Sequence, residues 1–184
     1  RSEAISILDG LRNPLPAIAI ETGQVYLDAL RPDAAVRPLR SAVAAQPGNA
    51  DAQALLGLAL ILSGQANEAA GVFARLAESS PDDAVIQFYL GSAIRLTDDV
   101  NRLPEAAQAL RRATELNPAS ALHQYELGLA QVQLRDWSGA QTALEQAAAA
   151  RPNLSEVQRD LSRLYTHESE PVQAAVARSR YLRL

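Results

Sequence analysis

The chain has no cysteine, no methionine and no lysine. Lack of cysteine excludes disulfides, thiolate metal sites and a cysteine nucleophile, and leaves the redox compartment open. Lack of lysine excludes lysine-dependent catalysis. All 17 basic residues are arginine, a bias expected of a high-G+C bacterial coding sequence. Aromatic residues make up only 4% of a chain that is 48% hydrophobic, so the apolar content is mostly Ala and Leu. Such small side chains favour closely packed helices and count against a β-sandwich rich in Val, Thr and Tyr. No long run of one charge occurs and the net charge is −4. That leaves no electrostatic footprint for nucleic acid or an anionic membrane. The most apolar run, "ALLGLALILS" from Ala54 to Ser63, is far shorter than the roughly 20 residues a bilayer span requires. No direct membrane insertion is expected, and a soluble protein of the cytoplasm or the periplasm fits. The numbering starts at Arg1 without an initiator Met, so an excised or processed part of a larger protein is expected.

What is present is a period. Gly23, Gly57, Gly91 and Gly128 lie inside apolar segments at separations of 34, 34 and 37 residues. Ala35, Ala69, Ala106, Ala140 and Ala174 follow at 34, 37, 34 and 34. Pro47, Pro81, Pro118 and Pro152 repeat 34, 37 and 34. Three markers share one period and one three-residue irregularity, which falls in "RLTDDVNRLPEA". Within a unit, spacings of three and four between Leu56 and Leu60, and then Ala69, Phe73, Leu76 and Ala77, predict two helices. Pro32, Pro104 and Pro171 suit the first turn of a second helix. Asn49, Asp82, Asp83 and Ser120 suit N-caps. Gly57 costs about 1 kcal/mol relative to Ala in a helix, so its presence points to a close approach of the paired helices.

A helix–turn–helix unit of 34 residues with this Gly, Ala and Pro pattern resembles the tetratricopeptide repeat. "NADAQALLGLALILSGQANEAAGVFARLAESSPDD" shows it best. The resemblance implies an all-α solenoid, a right-handed superhelix of antiparallel helix pairs, with units at 16–49, 50–83, 84–120, 121–154 and 155–184. Residues 1–12 read as the second helix of a truncated preceding unit. In the fifth unit Ser162 replaces the glycine and Arg178 replaces the large apolar residue of the second helix. That polar face suits a terminal helix.

Candidate chemistry is sparse. His123 and His167 stand in different units without a second ligand nearby, and read as surface helix positions. Asp82–Asp83 and Asp98–Asp99 read as caps and turn residues rather than a catalytic pair. Trp137 in "RDWSGA" reads as packing between the two helices of its unit. No metal site, cofactor or catalytic residue is expected, and the segment reads as not an enzyme.

Binding is expected elsewhere. The resemblance implies that first helices line a concave face. Carried over, the lining residues are Ile20, Gln24 and Leu27, then Leu55, Leu58, Ile61 and Leu62, then Phe88, Tyr89, Ser92 and Arg95. Tyr125, Leu129 and Val132 follow, then Arg159, Asp160, Arg163 and His167. A helix needs only its packing stripe to be apolar, so the middle of this face is over-provided with hydrophobic residues. The groove positions at which related chaperone clamps hold a carboxylate carry Ile20, Gln24, Leu55 and Leu122, which argues against that clamp. The expected function is a non-catalytic scaffold that takes an apolar or amphipathic segment of a partner protein. A regulatory arm of a larger enzyme and a self-assembling homo-oligomeric array are the alternatives.

Overall fold

The computed structural model describes residues 15–97 and 99–183. The helix expected over 1–12 lies outside the described residues, as does Asp98. Among the described residues there are ten α-helices and no strand. They are α1 (Pro16–Asp28), α2 (Pro32–Ala45), α3 (Ala50–Leu62), α4 (Ala66–Ser79) and α5 (Ala84–Arg95), then α6 (Leu103–Leu116), α7 (Ala121–Gln133), α8 (Trp137–Ala150), α9 (Ser155–His167) and α10 (Pro171–Tyr181). The extra residues before α6 hold a short 3-10 turn, Val100–Arg102, started by the Asp99 carboxylate, which accepts from the Asn101 N–H. The chain divides into two compact units, residues 1–97 and 98–184.

Helix starts follow side-chain chemistry. Asn49 accepts from the Ala52 N–H at 3.0 Å, Asp83 from Val85 and Ile86, and Ser120 from His123. Proline occupies the first turn of α1, α2, α6 and α10, where the missing N–H breaks no bond. Four first helices end in one motif. The N–H of Arg31, Gln65, Asp136 and Glu170 reaches back to the carbonyl of Tyr26, Leu60, Gln131 and Tyr165, respectively. The residue before each, Leu30, Gly64, Arg135 or Ser169, has a left-handed backbone.

Paired helices approach closely at glycine. A Cβ on Gly57 would lie 2.5 Å from the Phe73 ring, and one on Gly128 would lie 2.8 Å from Leu144. The second helix of each pair then receives the next first helix. Ala42 of α2 packs with Ala19 and Ala52, and Ala147 of α8 packs with Val157 of α9. His123 is buried at this kind of junction, and its Nδ1–H donates to the Ala113 carbonyl at 3.1 Å. This corrects the surface position expected for it: the third residue of a first helix faces the preceding second helix, not water.

Candidate functional site

Within the second unit, α7, α8 and α9 enclose a cleft of about 450 Å³. Its walls are Tyr125, Leu129 and Val132 from α7, Trp137 from the start of α8, and Arg159, Asp160, Arg163, Leu164 and His167 from α9. Five of the predicted lining residues, Tyr125, Leu129, Val132, Arg159 and Arg163, therefore meet in one place. They do so because positions four and three apart on α7 and α9 recur on the same helix face.

Charge in the cleft is organised around one carboxylate. Tyr125 donates its hydroxyl proton to Asp160 Oδ2 at 2.8 Å. Arg159 grips the same carboxylate with two N–H groups, at 2.9 and 3.1 Å. Arg163 reaches Oδ1 at 3.4 Å while its side chain stays 73% exposed. Burial, and then the bond to Asp160, push the Tyr125 phenol up to about 12. The same carboxylate holds the Arg159 guanidinium firmly in its charged form. At the other end of the cleft the Trp137 and His167 rings lie 4.2 Å apart between centroids, tilted by 34°. Trp137 thus packs against the following first helix, not only between the two helices of its own pair. It lies beyond the end of α7, so the periodicity of that helix gave no signal for the contact. Leu164 was missed for a simpler reason, since it lies off the implied lining positions.

In the first unit the predicted residues fare differently. Leu55, Leu58, Ile61, Leu27, Ile20, Tyr89 and Arg95 are half-buried, and Gln24 and Leu62 are exposed. Ile20 packs on the Ala19, Ala42 and Ala52 cluster. The Tyr89 ring stacks on Phe73 at 5.2 Å. Phe88 and Ser92 are corrected: at 8% and 6% exposure they offer almost no surface. The reason is that the second half of α5 is enclosed, with five consecutive residues from Leu90 to Ile94 buried, whereas Val85 near its start is 55% exposed. At 100° per residue those five point in every direction, so this part of α5 leaves Ser92 no free face.

The arrangement is equipped to bind. An apolar floor of Leu129, Val132 and Leu164 sits between aromatic rings and arginine N–H groups. Among the described residues no group of three or more His, Asp or Glu side chains is placed to hold a metal ion. No described helix is long and apolar enough to cross a membrane.

Models of the tetratricopeptide repeat match residues 26–88, 93–154 and 125–181. The chain belongs to the tetratricopeptide repeat family. Its helix pairs are accordingly repeats, and the coarse reading of the chain is a protein–protein interaction scaffold of helical-repeat type. No curated protein sequence matches the chain. Solved structures do. A crystal structure of MamA superposes with a TM-score of 0.76 at 23% identity, covering 88% of this chain and 92% of that one. A MamA fragment from Desulfovibrio magneticus RS-1 gives 0.80 at 19% identity, covering 92% and 94%. TTC0263, a thermophilic tetratricopeptide protein of Thermus thermophilus, gives 0.73 at 22% identity, covering 92% and 91%. At these identities the likeness is one of fold.

Proposed function

We propose that this chain is a non-catalytic scaffold that holds an apolar or amphipathic segment of a partner protein against its first helices. The carrying observation is the α7–α9 cleft, with its apolar floor and its fixed Tyr125–Asp160–Arg159 hydrogen bonds. A volume of about 450 Å³ lies in the range of clefts that bury an anchor group. The partly exposed Leu55, Leu58, Ile61 and Leu62 of α3 support a second apolar contact in the first unit. Such anchors dominate binding while the polar rim selects partners.

The test is selection from a displayed peptide library. Segments bearing large apolar residues are expected to enrich. Leu129→Glu, and separately Leu58→Glu with Tyr125→Ala, should weaken their binding at least about tenfold, as expected when a buried anchor contact is lost. Helical content by circular dichroism should persist. Enriched peptides that bind all variants equally would remove the groove from consideration.

A further inference from the structure

We infer that the first unit holds a cationic amphipathic helix of a partner protein, laid along α3 with its basic flank against Glu21 and Asp28. The inference rests on the scaffold reading above and names the chemical class of the segment that the first unit takes. Three first helices lie side by side there, α1 touching α3 and α3 touching α5. One helix face recurs in them at steps of 34 residues. On α1 it carries Glu21, Gln24 and Asp28, all exposed. On α3 it carries Leu55 and Leu58, half-buried, and Leu62, 57% exposed. On α5 it carries Tyr89, half-buried, and Leu96, 47% exposed. Spacings of three and four keep each set on one side of its helix. Helix α3 packs into the core through Ala52, Leu56, Ala59 and Leu60, so its leucine strip is additional to what the fold requires. An apolar strip on α3 and α5 thus lies beside an acidic strip on α1.

Charge selects the occupant. Helices α1 and α3 carry Glu21, Asp28 and Asp51 and no basic residue. Arg95, the one basic residue of α5, is on the helix farther from the acidic strip. Among the described residues neither Glu21 nor Asp28 enters an ion pair. Carboxylates along one edge of an apolar surface attract cations and turn acidic segments away. Glu21 and Asp28 are seven residues apart, about 10.5 Å along the axis at 1.5 Å per residue. A helix aligned with α3 meets both with basic residues at i and i+7, two turns apart, while its apolar face lies on the leucines. Apolar residues inside and charges along the flank is the order of a coiled-coil seam.

Fluorescence anisotropy of a labelled synthetic peptide tests this. The peptide is an amphipathic helix with two arginines seven residues apart on one flank. At low ionic strength it should bind the chain at least about tenfold more tightly than the same peptide with both arginines replaced by glutamate, and added salt should shrink the difference. Glu21→Arg with Asp28→Arg should invert the preference, so that the glutamate peptide binds better. Asp33→Arg with Glu78→Arg, at exposed acids of α2 and α4, changes the net charge equally and should leave the preference intact. Leu58→Glu should weaken both peptides with helical circular dichroism unchanged. Equal binding of the two peptides, lost in Leu58→Glu, overturns the cationic class and leaves the apolar contact standing. Binding of neither peptide overturns the first-unit contact itself, and the proposal with it. A preference that survives Glu21→Arg with Asp28→Arg, or that the control pair reverses as well, also overturns it. So does self-association in sedimentation velocity that Leu58→Glu removes, since the face then belongs to a second copy.

Discussion

A methyl group at position 57 would sit 2.5 Å from the Phe73 ring, and that ring is fully buried. Helix propensity alone favours Gly57→Ala by about 1 kcal/mol. Overpacking of a filled core costs about 1–3 kcal/mol, and here it opposes and outweighs the gain. Gly71 is the control, since it is helical and exposed with nothing within 4 Å of an added Cβ. Gly71→Ala should raise stability by about 0.5–1 kcal/mol, while Gly57→Ala lowers it, both read from urea unfolding. Tyr125 gives a second residue-scale prediction. Its phenol is raised from 10.0 to about 12 because burial and Asp160 favour the neutral form. The stability it contributes is therefore complete below its ordinary value and is lost as pH rises from there toward 12. Ultraviolet titration of tyrosine should show a component near pH 12 that disappears in Tyr125→Phe.

The helices themselves were legible in the sequence because their signals are local. Asn49, Asp83 and Ser120 cap the helices they precede, and the glycine spacing located the close approach. The turn within each pair was less legible. Only Gly64 advertises a left-handed residue, whereas Leu30, Arg135 and Ser169 take that conformation with side chains that disfavour it. Leu30 is 89% exposed and loses little by removal. Leu30→Gly should therefore stabilise the α1–α2 turn by about 1 kcal/mol, measurable as a higher Tm. Helix α2 also carries Pro38 in its interior, which removes one intrahelical bond. The site was half legible. The family resemblance implied Tyr125, Leu129, Val132, Arg159 and Arg163 as lining residues, and their spacings of three and four bring them to one cleft. It did not foresee that Trp137 would close the cleft against His167, a contact between residues that belong to different repeats. Nor did it foresee that Phe88 and Ser92 of α5 would be buried.

Across the whole molecule, stability in a repeat array is a sum over repeats and their neighbours. Helix α10 buries only Ala177, whereas α8 buries Ala140, Ala143, Leu144 and Ala147. Hydrogen exchange should find α10 amides opening well before those of α8. The Asp160 carboxylate has a mechanical consequence as well. Stacked helix pairs behave as a spring whose stiffness resides in the seams between neighbours. At the α7–α9 seam, Tyr125 spans from one repeat to a carboxylate that Arg159 and Arg163 hold in place on the other. Stretching or bending the second unit at that seam must first break this bond. A ligand lodged in the cleft beside it would thereby set how readily this part of the spring yields to a pull.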